Sequence, residues 1–366
     1  MSAKATPVPG PGILDLAPYV GGDATLDGVD RPIRLASNEG ALGPSPKAIA
    51  AYRALAGEIH RYPDGGADEL RHALGEHYGL DPAQIVCGSG SDELIGLLQR
   101  AYAGPDTEIL YSRHGFLMYP IGAMAVGATP VAAPERDLTA DVDAILARVT
   151  PHTRIVFIAN PNNPTGTYLS ASEMARLHAG LPGNVVLVID AAYAEFVNRN
   201  DYEPGSKLVD NADNVVMLRT FSKIYALAGL RLGWGYFPPA IADVLNRVRG
   251  PFNVNAAALA AGVAALNDTE ALQKARAHND RWQPWLTERL AMLGLNPTPS
   301  VGNFVLPHFP EGGRHNADAA FRFLQSRGIL TRKMGGYGLP NHIRITIGTG
   351  EEMEKVAATL AEFMAS

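Results

Sequence analysis

Arg219–Gly233 reads R-T-F-S-K-I-Y-A-L-A-G-L-R-L-G, and this stretch decides the fold. It offers one lysine, Lys223, among small hydroxyl residues, with Arg231 eight positions later. A lysine amine forms a Schiff base with an aldehyde only when it is held in place and can lose its proton. The hydroxyls of Thr220 and Ser222, with the Arg231 guanidinium, compose a pocket for a phosphate dianion. A lone Ser-Lys pair is ordinarily a surface loop. The rest of the chain decides between the two.

Thirty-three residues before Lys223, the apolar run V-V-L-V-I-D (Val185 to Asp190) ends in an acid. Such a run reads as a buried parallel strand, and the C-terminal end of such a strand is where open α/β sheets bind ligands. A carboxylate there pairs with a protonated pyridine nitrogen, which makes the ring an electron sink. Tyr193 and Asn163 are candidates to hydrogen-bond a ring hydroxyl. Asn163 sits in the turn N-P-N-N-P-T-G, Asn160 to Gly166, whose prolines and glycine aim it. Upstream, G-S-G-S-D-E (Gly88 to Glu93) opens a helical pattern, so Gly90, Ser91 and Asp92 offer amides and a positive dipole end to a phosphate. Lysine amine, ring acid and phosphate cradle together meet the requirements of pyridoxal 5'-phosphate (PLP).

The order Gly-rich turn, aromatic segment, Asn turn, Asp-x-x-Tyr, Ser-Lys, Arg resembles the fold type I PLP enzymes, specifically the aminotransferases. The likeness is closest to the histidinol-phosphate aminotransferases. It rests on LAPYVGG (Leu16 to Gly22), SNEGALGPSP (Ser37 to Pro46), RYPDGG (Arg61 to Gly66), GSGSDE, ANPNNPTGT (Ala159 to Thr167), DAAYAEF (Asp190 to Phe196), RGPFNVN (Arg249 to Asn255), GNFVLP (Gly302 to Pro307) and IRITIGT (Ile343 to Thr349). The resemblance runs from about residue 13 to the end. It implies Lys223, Asp190 and Tyr193 as catalytic residues and Phe116 stacked on the cofactor ring. It also implies Tyr62 reaching the neighbouring site of a homodimer, and Tyr19, Asn38, Arg332 and Arg344 at the substrate. The substrates implied are histidinol phosphate and 2-oxoglutarate, with glutamate as a product, in histidine biosynthesis. His60 and His114, each beside a motif, are candidates to approach the imidazole.

The chain departs from the family text at Gly40-Ala41, where N-P is common, at Ala226, where glycine is common, and at Phe116, where some relatives carry tyrosine. Within the same fold, an aromatic amino acid aminotransferase or a phosphothreonine decarboxylase would keep the cofactor residues and differ at the substrate. A dinucleotide oxidoreductase needs a third glycine that Gly88-Ser89-Gly90 lacks. A PLP-binding regulator needs a DNA-binding module, for which no basic segment exists.

With 366 residues, 31 basic and 37 acidic, the chain carries a net charge of −6, which gives no electrostatic case for nucleic acid. Its single cysteine, Cys87, excludes an internal disulfide and fits a reducing, cytoplasmic compartment; it reads as a small buried filler. No apolar run approaches the ~20 residues of a membrane span. The first dozen residues, MSAKATPVPGPG, lack a signal-peptide core and read as a flexible arm. His72 and His77 miss the spacing of a metal-binding H-E-x-x-H helix.

The expected fold class is α/β, a mostly parallel sheet wrapped by helices, with a smaller α+β C-terminal domain. Strands are expected at Ile85–Cys87, Glu108–Tyr111, Ile155–Ala159, Val185–Asp190 and Val215–Leu218. A helix is expected from Ser170 to His178, with Ser170 and Glu173 as a capping box. One long helical pattern runs through Ala256 to Leu293. Strands at Asn303–Leu306 and Ile343–Ile347 and helices at Ala317–Arg327 and Glu351–Met364 follow. The expected division is an arm over 1–30, a large PLP-binding domain over 31–255, and a connecting helix with the small domain over 256–366.

Overall fold

The computed structural model describes residues 7–10, 12–19 and 21–366, so the arm expected over the first dozen residues falls largely outside the described residues. A seven-stranded sheet forms the centre. Its strands are β1 (Ile85–Gly88), β2 (Glu108–Ser112), β3 (Thr129–Ala133), β4 (Thr153–Ala159), β5 (Val186–Asp190), β6 (Val215–Thr220) and β7 (Gly233–Tyr236). They lie in the order β1-β7-β6-β5-β4-β2-β3. Only β7 runs antiparallel, between β1 and β6; β3, β2, β4, β5 and β6 are parallel.

Strand residues alternate between two apolar layers, as a period of two requires. Val156, Ile158, Leu187, Ile189, Val215 and Met217 face one core. Ile155, Phe157, Val186, Val188, Val216 and Leu218 face the other. Both faces being covered explains why these strands read as unbroken apolar runs.

The helices α1 (Asp68–Tyr78) and α2 (Ser91–Tyr102) flank β1. Beyond the sheet, α3 (Ala256–Leu266) and α4 (Thr269–Met292) replace the single helical pattern expected over 256–293. The break falls at Asn267-Asp268, because the Asp268 carboxylate accepts from the Ala271 N–H and caps a new helix. The capping box expected at Ser170 is half formed. Ser170 accepts from the Glu173 N–H, while the Glu173 carboxylate turns away to Arg176.

The C-terminal part is α+β. Phe304–Val305, Ile343–Thr346 and Arg332–Lys333 make a three-stranded sheet in that order, packed on α5 (Ala317–Ser326) and α6 (Gly350–Ala365). Ile33 and Arg34 pair with Ile329 and Leu330, and Leu35 packs in this C-terminal core. The chain therefore enters through the small unit before it builds the large one.

Candidate active site

The parallel strands β4, β5 and β6 end side by side, and their last residues Ala159, Asp190 and Thr220 open onto one cavity of about 250 Å³. Ser91, Asp92, Phe116, Asn163, Asp190, Tyr193, Thr220, Ser222, Lys223 and Arg231, all expected from the sequence, line it. Position relative to the sheet explains their convergence. Loops that leave the same edge of neighbouring parallel strands share one crevice.

One end of the cavity is cationic and rich in donors. Gly90 caps α2 with a φ of 83°, a left-handed conformation that favours glycine. A Cβ there would stand 2.4 Å from the Arg231 Nη2. Arg231 reaches Ser222 Oγ at 3.4 Å and Asp92 Oδ2 at 3.4 Å, and the Ser222 N–H donates to Thr220 Oγ1. Helix amides, two hydroxyls and a guanidinium thus surround an anion-sized space.

At the other end Asp190 is buried, with Oδ2 accepting from the Tyr119 hydroxyl at 2.8 Å. Its Oδ1 is buried without a partner. Burial pushes this carboxyl up to about 6, against the Tyr119 hydrogen bond. A buried orphan acceptor calls for a donor, and a protonated pyridine nitrogen is one. The donor set along the cavity therefore fits PLP.

Lys223 Nζ donates to the Ser37 carbonyl at 3.1 Å. Burial and the Arg344 charge hold its amine down at about 8. Tyr193 accepts from Asn38 Nδ2 at 2.8 Å, leaving its own hydroxyl proton to donate. Asn163 gives its Oδ1 to Arg344, which leaves Nδ2 as the donor. Asn38 is itself fixed by the Thr346 hydroxyl and by Asn303.

Arg344 and Arg332 stand directly opposite each other on antiparallel strands. Like charges so placed repel. Arg344 is buried, with Nη2 on the Ala36 carbonyl and Nε unpartnered. Arg332 donates to the Tyr19 hydroxyl at 3.1 Å and lies over the Tyr19 ring. Tyr19 in turn meets Phe116 edge-on. Tyr19 and Arg332 line an adjoining cavity of about 660 Å³ with Tyr337 and Thr331, both of which bury an unpartnered hydroxyl. Arg332 beside these orphan hydroxyls makes a place for a second anion, while Arg344, which lines neither cavity, backs the first one through Asn163.

Two expectations, those for His114 and His60, part from this geometry, whereas Tyr62 is expected at the neighbouring subunit's site and not in this cavity. Tyr62 is 82 % exposed and stacks on Phe252 at 4.6 Å. His114 is turned away: its Nδ1 is 2.7 Å from Glu135, a carboxylate that also holds the Ser112 hydroxyl. His60 is exposed and outside both cavities. Cys87 is buried, and burial pushes its thiol up to about 12, so it is a filler.

Ser37, Tyr119, Asn303 and Thr346 take part without having been singled out. Ser37 and Thr346 lie inside recognisable motifs but act through a carbonyl and a second-row hydroxyl. Tyr119 stands in a helix, Met118–Ala125, with no pattern of its own.

The pattern of the family "Aminotransferase class I and II" matches residues 30–360. A histidinol-phosphate aminotransferase of Paramagnetospirillum magneticum is 63 % identical over 98 % of this chain and 99 % of its own. Another from Rhodospirillum centenum is 62 % identical over the same shares. The crystal structure of the histidinol-phosphate aminotransferase from Sinorhizobium meliloti in complex with pyridoxal-5'-phosphate superposes with a TM-score of 0.89 at 30 % identity, covering 99 % of both chains. The chain belongs to the class I and II aminotransferases and, within them, to the histidinol-phosphate aminotransferase family.

Proposed function

We propose that this chain transfers the amino group of L-histidinol phosphate to 2-oxoglutarate, giving imidazole acetol phosphate and L-glutamate in histidine biosynthesis. The observation that carries the substrate reading is the Arg332–Arg344 pair with Tyr19 on Arg332. One pocket must accept a phosphate ester from the donor and a carboxylate from the acceptor, and guanidinium forks suit both anions.

PLP, when bound, supplies an aldehyde that condenses with amines and a protonated ring that takes up electrons released at the substrate Cα. Asp190 would keep a proton at the ring nitrogen, since its unpartnered Oδ1 would gain a donor there. Tyr193 and the Asn163 amide would hold the ring oxygen. Gly90, Ser91, Asp92, Thr220, Ser222 and Arg231 would hold the phosphate, and Phe116 would cover the ring. Lys223 would hold the cofactor's aldehyde, and its free amine would carry the proton at the substrate Cα. An amine near 8 matches that task, because a base works best when its pKa lies near the operating pH.

The active assembly in this reading is a cytoplasmic homodimer, in which Tyr62 completes the partner's cofactor site. Tyr62 stacks on Phe252 and both are exposed, an aromatic pair that a two-fold partner would cover. Among the described residues no helix is long and apolar enough to cross a membrane.

Arg332→Ala tests the substrate reading. The kcat/KM for histidinol phosphate should fall by roughly 2–4 kcal/mol of transition-state binding. An uncharged donor such as phenylalanine should lose far less. Equal losses would point to an aromatic aminotransferase.

A further inference from the structure

Behind the cavity, and lining no part of it, lies a buried ion pair. Arg219 Nη2 meets Glu195 Oε1 at 2.7 Å, with side chains only 5 % and 4 % exposed. The Tyr78 hydroxyl donates to the same Glu195 oxygen at 3.2 Å and shares a 2.8 Å hydrogen bond with the Tyr225 hydroxyl. The guanidinium lies 4.8 Å over the Tyr78 ring and 5.6 Å from that of Trp234. Arg276, on α4, donates to the Glu195 carbonyl at 2.8 Å. One cluster thus joins α1, the loop after β5, β6, β7 and α4.

Its members flank the reacting groups in sequence. Glu195 follows Tyr193 by two residues and Asp190 by five; Arg219 precedes Lys223 by four; Tyr225 follows Lys223 by two. The loops that carry Tyr193 and Lys223 leave neighbouring strands, paired through Asp190 and Leu218. Nothing in the ladder beyond that pair fixes one loop against the other. The Glu195–Arg219 contact ties the Tyr193 loop to the end of β6, four residues before Lys223, and Tyr78 links it to Tyr225, two residues beyond Lys223.

Stability alone does not account for such a pair. Two charges taken out of water are often replaced by apolar residues of similar volume at no loss of stability. What an ion pair adds is direction, and a displacement of about 1 Å between reacting groups can cost ~100-fold in rate. We propose that Glu195 and Arg219 are positioning residues that set Lys223 against Tyr193 and Asp190. The inference rests on Lys223 as the catalytic amine.

Three variants test it: Glu195→Gln, Arg219→Met, and the double apolar Glu195→Met/Arg219→Met. In the double variant the melting temperature should stay within a few degrees of native. The kcat should nonetheless fall at least tenfold, with KM for both substrates within about twofold. The second readout needs neither cofactor nor substrate. In the cofactor-free protein, Lys223 is labelled with an amine-selective reagent across pH and quantified by peptide mass. A Lys223 loosened toward solvent should label with a midpoint about one pH unit higher than in the native protein. Native kcat in the double variant, or an unmoved labelling midpoint, overturns the proposal. If the double variant does not fold, Arg219→Lys decides: several-fold lower kcat with a raised midpoint supports it, and native values for either overturn it. Failure of the histidinol phosphate reading would alter the donor kinetics and leave the labelling midpoint untouched.

Discussion

Gly40 lies so close to Ala226 that a Cβ on residue 40 would stand 2.7 Å from the Ala226 Cβ and 3.0 Å from the Lys223 carbonyl oxygen. Both positions depart from the family text, which commonly has a larger residue at 40 and glycine at 226. Their contact couples the two positions sterically. Ala226 has a φ of 54°. Gly40→Ala should cost about 1–3 kcal/mol by overpacking. Adding Ala226→Gly should recover most of that loss, as chemical denaturation of the four proteins in a double-mutant cycle will show. Additive losses would mean the two positions do not touch.

Gly90→Ala should weaken PLP binding by roughly 10–100-fold, the equivalent of ~1–3 kcal/mol of steric strain. The new methyl meets Arg231 and the left-handed backbone resists it. Titration of cofactor-free protein with PLP measures this. Native affinity would place the phosphate elsewhere.

Lys223→Met should stabilise the cofactor-free protein at pH 7. The folded amine is held near 8 against an ordinary 10.5, so the unfolded chain binds more protons between those values and native stability rises with pH across that window. Removing the group removes a penalty on the order of 3–4 kcal/mol at pH 7, at about 1.4 kcal/mol per pKa unit. The advantage should vanish by about pH 10.5. Denaturation midpoints at pH 7 and 10.5 check both the sign and the window.

Asp190 carries the opposite dependence. Its folded carboxyl is raised to about 6 from an ordinary 3.8, so the cofactor-free fold loses stability as pH climbs from about 4 to 6. Asp190→Asn should flatten that part of the pH–stability curve. It should also leave PLP bound through its phosphate while most of the activity is lost. Tyr119→Phe removes a hydrogen bond that lowers the Asp190 pKa, and should extend the window upward.

Much of this site was legible because its residues sit in short motifs at strand ends, where type and order speak for chemistry. Asp190 closes an apolar run, Asn163 sits in a proline turn, and Lys223 lies between phosphate-binding hydroxyls. Residues that act by support left no such trace. Tyr119 reaches Asp190 across 71 positions from an unremarkable helix, and Ser37 contributes only a carbonyl. Two strands of the sheet were also hidden. In Thr129–Ala133 a proline interrupts the strand signal, as an edge strand allows. In Gly233–Tyr236 alternate glycines remove the side chains that a strand pattern needs, although all four residues are buried. The Asn267-Asp268 break was masked by continuous helical periodicity on both sides.

In the proposed dimer Tyr62 belongs to the partner's site. Lys223→Ala and Tyr62→Ala, each severely impaired, should regain roughly a quarter of native activity when mixed as equal parts, since half the dimers are hybrids with one intact site. Activity that stays at the level of the parents after subunit exchange would confine each site to one chain.

The most direct measurement compares kcat/KM of the native enzyme for L-histidinol phosphate and for L-phenylalanine, each with 2-oxoglutarate as acceptor. The facing pair of Arg332 and Arg344 predicts a preference for the phosphorylated donor of at least 100-fold, the scale of ~3 kcal/mol for a buried charge contact. An enzyme that turns over phenylalanine as well as histidinol phosphate, or better, would contradict the account.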